Sequence, residues 1–307
     1  MKVLIAVDGS EGGWEAVHQV GGLISPEMDQ VALYYSPPEV RFPRGAAPTA
    51  DVIERAKTTL ADAVFAEAVQ RLPEPARDKV HKIVGHQNPR NGILAAADDW
   101  RADLIAVGAR GGATLEQLLL GSVSQSVVHH ATIPVLVARA GAGKKSGTSQ
   151  NVLVAWDDSK HSQRTKELLG KLTWTPGTVG RLIHVIEPMF VGQLPPWLEK
   201  MARDATTEPM AQAWVKEHEA EKRHKAEQLA ALRLDLPTAF RDAAPIVSEG
   251  YPSEQILKAV SRERIDLVVV GAKGKGAIER LMLGSTSEKV LSHAPCSVLV
   301  VRQHEAG

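Results

Sequence analysis

The sequence predicts an α/β protein of two tandem doubly wound domains, each built on a five-stranded parallel sheet. Three observations carry this. The chain has 307 residues, about twice the most common domain size. Its two halves repeat each other. Within each half, short Val- and Ile-rich runs alternate with helical patterns, the β-α-β order of a doubly wound sheet.

The repeat is visible at both ends of each half. Lys2–Ser10 aligns with Asn151–Ser159, five of nine positions being identical. Gly108–Arg139 aligns without a gap on Gly271–Arg302, sixteen of thirty-two being identical. A period of half the chain means whole domains rather than solenoid units. The offset grows from 149 to 163, a net insertion of fourteen residues in the second copy. Residues 1–140 read as the first domain, 141–150 as a small, polar, Gly/Ser-rich linker, and 151–307 as the second domain. A helical insertion is expected near 195–232.

The strands expected in the first copy are Val3–Val7, Val31–Tyr35, Val80–Val84, Leu104–Val107 and Val135–Val137. In the second they are Val152–Trp156, Arg181–Ile186, Pro245–Val247, Leu267–Val270 and Val298–Val301. Continuous apolar runs of this length suit strands buried on both faces of a parallel sheet. Trp14, Val17, Val20 and Ile24 recur near the helical period, as do Val52, Ala56, Leu60, Ala63 and Val64. Ile256, Leu257 and Val260 mark the helix before the second copy's fourth strand. Glu217–Glu227 reads as an exposed, charged helix able to contribute little to a core.

Composition narrows the function classes. Thirty-six Lys and Arg balance thirty-six Asp and Glu, so charge supports neither nucleic-acid nor anionic-membrane binding. Aromatic residues are 4% of the chain, too few for base-stacking platforms. One cysteine, Cys296, excludes an intrachain disulfide and a Cys-based zinc site. The first apolar run is too short for a signal-peptide core or a spanning helix, and a cytoplasmic location is expected.

In an open parallel sheet, ligands bind beyond the carboxyl ends of the strands. After strand one come Asp8-Gly9-Ser10 and Asp157-Asp158-Ser159; after strand four, Gly108-Ala-Arg110-Gly111 and Gly271-Ala-Lys273-Gly274. Nine residues on, both copies have Gly-Ser, at Gly121-Ser122 and Gly284-Ser285, opening the last helix. Glycine there permits positive φ and lets a ligand approach without a Cβ in the way. A helix N-terminus offers free N–H groups and partial positive charge to a phosphate. Arg110 and Lys273 add a cation; Asp8 and Asp157 suit a ribose hydroxyl or a metal-bound water. A competing reading needs no ligand: Ser122-Val-Ser-Gln125 and Ser285-Thr-Ser-Glu288 both have capping-box spacing. The full pattern occurring twice, each time between strand and helix, favours the binding reading.

The Gly-x2-Gly-x9-Gly-Ser pattern, with the early Val-Leu-Ile-Ala-Val-Asp-Gly-Ser, resembles the universal stress protein family over nearly the whole chain. The resemblance implies the adenine nucleotide alpha hydrolase-like fold with strand order 3-2-1-4-5, and ATP, with Mg2+, as ligand. Carried over by position, the first site uses Asp8, Tyr35, Val107, Gly108, Arg110, Gly111, Gly121, Ser122 and Ser124. The second uses Asp157, Val185, Val270, Gly271, Lys273, Gly274, Gly284, Ser285 and Ser287. Tyr35 in place of Val185, Trp156 in place of Val7 and Asp158 in place of Gly9 set the two sites apart. The family also implies that the last strands, 135–137 and 298–301, pair across the two copies as an intramolecular pseudo-dimer, and further homodimer formation is left open.

Other candidates carry less. Gly141-Ala-Gly-Lys-Lys-Ser lacks the first glycine of a phosphate loop and opens no apolar helix. His129, His130 and His293 complement a helix C-terminus; His218 and His224 do not share a helix face. Cys296 reads as a small buried hydrophobe, and Asp98, Asp99 and Asp103 lie at the wrong end of the sheet. The function expected is nucleotide binding in a stress or regulatory protein, with slow ATP hydrolysis left open. The alternative is an adenylate-forming enzyme of the ATP-pyrophosphatase type, whose Ser-Gly-Gly-x-Asp-Ser loop neither Asp8–Gly13 nor Asp157–His161 supplies. A flavoprotein-like electron carrier has no identifiable signature here.

Overall fold

The computed structural model describes residues 1–38, 49–110, 120–139, 149–186, 209–273 and 283–302, the side chains of 160, 161, 209–215 and 218 excepted. Residue 140, the linker's 141–148 with the phosphate-loop look-alike, Gly111, Gly274 and the 195–208 part of the expected insertion lie outside this set.

The first half runs β1 (Lys2–Ala6), α1 (Glu11–Gly21), β2 (Gln30–Tyr35), α2 (Ala50–Gln70), the short α3 (Glu74–Arg77), β3 (His81–Val84), α4 (Pro89–Trp100), β4 (Leu104–Gly108), α5 (Ser122–His130) and β5 (Val135–Ala138). The second runs β6 (Asn151–Ala155), α6 (Lys160–Lys171), β7 (Val179–Ile186), α7 (Pro209–Leu232), two 3-10 turns, β8 (Ile246–Glu249), α8 (Pro252–Arg262), β9 (Leu267–Gly271), α9 (Ser285–His293) and β10 (Ser297–Val301). Within each half the strands are parallel in the order 3-2-1-4-5, as the family resemblance implied.

The two sheets are continuous. Their order is β3-β2-β1-β4-β5-β10-β9-β6-β7-β8, and β5 meets β10 antiparallel. Leu136 pairs with Leu299, the residue holding its own place in the repeat, so a pseudo-twofold axis passes between them. This is the isologous contact of a symmetric dimer made inside one chain. It leaves neither last strand as an open edge. Val135–Val137 and Val298–Val300 are fully buried. Each sheet face carries one apolar cluster that runs through both halves.

Two buried arginines secure the junction reciprocally. Arg139, just past β5, donates from its guanidinium to the Leu291 carbonyl of α9 at 2.5 Å. Arg302, just past β10, donates to the Val128 and His129 carbonyls of α5 at 2.6 and 3.0 Å. Each guanidinium thus satisfies carbonyls at the open C-terminal end of the other half's last helix. Burial lowers both pKa values, and Arg110 nearby lowers that of Arg139 further. His129 faces Glu288 across the same seam at 3.2 Å.

The described part of the helical insertion expected near 195–232 is helix α7. Helix α7 joins strands two and three of the second half, the place α2 takes in the first, and Leu229 near its end is buried in the core. The C-terminal part of α7 is therefore the ordinary crossover helix. The described residues of its charged stretch are exposed or half-buried, but its last turns carry core residues that a charge count over 217–227 does not reveal.

Candidate functional site

Beyond the carboxyl ends of β1, β2 and β4 in the first half lies a pocket of about 410 Å³. Its walls are Ala6 of β1, Val7 and Asp8 just past it, Gly13 of α1, Tyr34 of β2 and Ser36 just past it, and Pro89 and Ile93 from α4. Val107, Gly108 and Arg110 follow from β4, and Gly121–Ser124 from the start of α5. The lining combines apolar side chains with the N-terminus of α5, the Ser122 hydroxyl, Arg110 and the Asp8 carboxylate.

Of the first-site residues expected from sequence, Asp8, Val107, Gly108, Arg110, Gly121, Ser122 and Ser124 meet in this pocket. Tyr35 does not line it. Its ring packs edge-on against Phe65 of α2 in the core on the other face of the sheet, with centroids 6.4 Å apart. Successive strand residues point to opposite faces, so Tyr34 and Ser36 line the pocket instead. The register shows the same slip. Val7 N–H donates to the Tyr34 carbonyl and Trp156 N–H to the Ile183 carbonyl, both at 2.9 Å. Val185 therefore matches Ser36, and Tyr35 matches His184. Strand parity was the signal that finds Tyr34 and Ser36; spacing of four at the start of α4 brings in Pro89 and Ile93.

The helix entrance is built differently from a capping box. Gly121 and Gly284 are the N-caps of α5 and α9, and Ser122 and Ser285 make no side-chain cap. Ser124 and Ser287, one turn in, donate to the Gly108 and Gly271 carbonyls at 2.6 and 2.5 Å. These bonds pin the strand-four turn to the last helix and leave the Ser122 hydroxyl exposed in the pocket. Nor do the glycines need positive φ: Gly121 and Gly284 sit at −65° and −67°. Space decides at Gly108, where a Cβ would stand 2.3 Å from the Gly12 carbonyl carbon. Gly12 in turn would place a Cβ 2.2 Å from the Arg110 carbonyl oxygen. These two glycines let α1 dock against the strand-four turn.

Asp8 accepts from the backbone N–H and hydroxyl of Ser10, while Ser10 caps α1 by accepting from Gly13 N–H. In the second half Asp157 accepts from Ser159 N–H at 3.0 Å and from the Ser162 hydroxyl at 2.8 Å. Ser162 takes the place of Gly13. Asp158, at φ +59°, takes the place of Gly9 at +83°. Its carboxylate accepts from the Trp156 indole N–H and pairs with Lys225 of α7 at 2.6 Å. Val270, Gly271, Lys273, Gly284, Ser285 and Ser287 hold the positions of their first-half counterparts around the start of α9, while Val185 packs against the core. Cys296 is buried, and burial pushes its thiol up to about 12. Among the described residues no cluster of three metal-ligating side chains occurs, and no helix is long and apolar enough to cross a membrane.

The family model for universal stress proteins matches twice, over residues 1–139 and 148–302. The chain belongs to the universal stress protein family. A universal stress protein of Thermus aquaticus is 32% identical over 153 residues, covering 50% of this chain and 98% of its own length. One from Mycolicibacterium smegmatis is 25% identical over 305 residues, covering 98% of this chain and 96% of its own. The crystal structure of a universal stress protein from Archaeoglobus fulgidus superposes over 98% of both chains with TM-score 0.62 and 21% identity. The Thermus relative thus matches half of this chain, whereas the other two match it end to end.

Proposed function

We propose that the first half binds ATP in this pocket and that the protein acts by binding rather than by turnover, as a cytoplasmic stress-response protein of two domains, 1–140 and 151–307. The observation that carries the reading is that one pocket is lined both by apolar side chains and by an uncapped helix N-terminus with a hydroxyl and an arginine. Ala6, Val7, Pro89, Ile93 and Val107 can enclose a flat base. The uncapped N-terminus of α5, the spare hydroxyl of Ser122 and the Arg110 guanidinium suit phosphates. The volume falls in the range of small-molecule sites. Asp8 is the one carboxylate among the lining residues. A single carboxylate with phosphate oxygens and water is a donor set that Mg2+ accepts. With Asp8 hydrogen-bonded to Ser10, the described lining residues offer no acid–base pair for efficient hydrolysis.

Calorimetry with Mg2+-ATP tests this. The wild type is expected to bind with a stoichiometry between one and two, the first half being the tighter site. Gly121→Val, whose Cβ would already lie 3.3 Å from the Ala109 carbonyl oxygen, is expected to remove that tighter site from a folded protein. Unchanged binding by the folded variant would overturn the assignment. Release of nucleotide from freshly purified protein, read by mass spectrometry, checks the ligand independently.

A further inference from the structure

Helix α2 has an apolar side that the core does not use. Of its 21 residues only Ala61, Phe65 and Ala68 are buried, and 50–60 contribute none. That is about 16 Å of helix without a buried side chain. Its apolar residues Val52, Ala56, Leu60 and Ala63 are all exposed, Val52 by 52% and Leu60 by 48%. Spaced by four, four and three, they share one side of the helix. The core is met by a different side, Ala61, Phe65 and Ala68. Beside the stripe, Thr59 returns its hydroxyl to the Arg55 carbonyl at 2.9 Å, so that group needs no water.

The second half is the control. Phe65 and Leu72 of the first half and Leu229 and Leu236 of the second are core residues, seven apart in each case. In that register Lys216, Ala220, His224 and Glu227 of α7 stand where Val52, Ala56, Leu60 and Ala63 stand in α2. They are exposed as well, and all but Ala220 are polar. The crossover helix of this fold thus does not require an apolar outer side, and of the two copies the first alone carries one.

The stripe fits itself. Along the chain it alternates large and small: Val52, Ala56, Leu60, Ala63. When a second copy is laid antiparallel about an axis level with residue 58, Leu60 meets the partner's Ala56 and Val52 meets the partner's Ala63. Each large side chain then lies over a small one. The same axis brings Arg55, on the flank of the stripe, beside the partner's Asp62, and Asp62 beside the partner's Arg55. Both are exposed, and within its own helix Arg55 pairs with Asp51 at 2.6 Å. A twofold contact repeats each of these pairs, and opposite charges on such flanks fix partner and orientation. We infer that this side of α2 is the docking surface for a second copy of the chain, joined through antiparallel α2 helices. One helix per chain buries less than the area of a standard interface, so the dimer is weak and concentration-dependent.

Sedimentation velocity on the full chain across a micromolar concentration series tests this. The wild type is expected to pass from monomer to dimer. Leu60→Glu, at an exposed site, is expected to stay monomeric and to keep the melting temperature of the dilute wild type. Arg55→Asp and Asp62→Arg are each expected to weaken the dimer by about ten-fold or more, because each brings like charges together. The double variant restores opposite charges and is expected to return to within about three-fold of the wild-type affinity. A wild type that stays monomeric throughout would overturn the proposal and leave the stripe to a different partner. So would a dimer that Leu60→Glu leaves intact, or a double variant that associates no more strongly than the single ones.

Discussion

The two halves share a fold and a register but differ at the place where a ligand would enter. In the first, Gly9, Gly12 and Gly13 leave the turn after β1 open beside Asp8, and Gly13 lines the pocket. In the second, the matching residues are Asp158, His161 and Ser162. Ser162 fills the space next to Asp157 and occupies its carboxylate. Asp158 holds the same left-handed turn as Gly9 and ties it to Lys225 on α7. The β2 side differs as well, with Tyr34 and Ser36 against Ile183 and Val185. The junction between the halves shows the opposite trend: Arg139 and Arg302, Leu136 and Leu299, each keep the same residue. The two copies keep what holds the pseudo-dimer together and differ in the residues around the first-half pocket.

The largest effect is expected where the halves are alike. Leu136 and Leu299 are fully buried on the pseudo-twofold axis. Leu136→Ala or Leu299→Ala should cost about 2–5 kcal/mol by cavity formation. Because the core clusters run through both halves, urea unfolding should remain one transition, with the whole chain shifted. Two separated transitions would show that the halves fold independently.

Exchanging one residue between the sites should have a smaller effect, confined to binding. Gly13→Ser should let the new hydroxyl engage Asp8 as Ser162 engages Asp157, weakening ATP at the first site about ten-fold, or about 1.4 kcal/mol. Ser162→Gly should strengthen the second site and raise the stoichiometry in calorimetry toward two. If neither substitution moves the affinity, the difference at this position does not explain unequal sites.

The smallest change is expected at Asp158→Gly, which restores the first-half residue. It relieves a non-glycine left-handed conformation but removes the acceptor of the Trp156 indole and an ion pair with Lys225. The pair is partly exposed and worth about 0–1 kcal/mol. The opposing contributions should leave thermal stability within about 1 kcal/mol of wild type. A much larger loss would mean that the Trp156–Asp158–Lys225 group anchors α7 to the second half.

Much of the site was legible because its residues lie on turns fixed by short, regular connections. Asp8 follows β1 directly, and Gly108, Arg110, Gly121 and Ser122 bracket the last crossover, so chain order alone puts them at one end of the sheet. Residues whose role depends on which way a side chain points were harder. Tyr34 and Tyr35 are adjacent and chemically identical, and only the pairing of β2 with β1 decides which faces the pocket and which meets Phe65. Ser122 has capping-box spacing, yet Gly121 takes the cap. The bond from Ser124 to the Gly108 carbonyl fixes the helix entrance from its first turn.

The strand order came from the family resemblance; the sequence by itself determined the duplication, the parallel β-α-β organisation of each half and the end of the sheet that could bind a ligand. These follow from hydrophobic period and connection length, which are local. Tertiary structure alone decided why Gly12 and Gly108 are glycines, where α7 joins the core, and how the arginines cross the junction. Each of those depends on the approach of segments that are distant in the chain. Gly12 and Gly108 make room for backbone, α7 buries Leu229, and each guanidinium reaches carbonyls of the other half. No local pattern encodes such distances, because they are set by how the packed layers come to rest against one another.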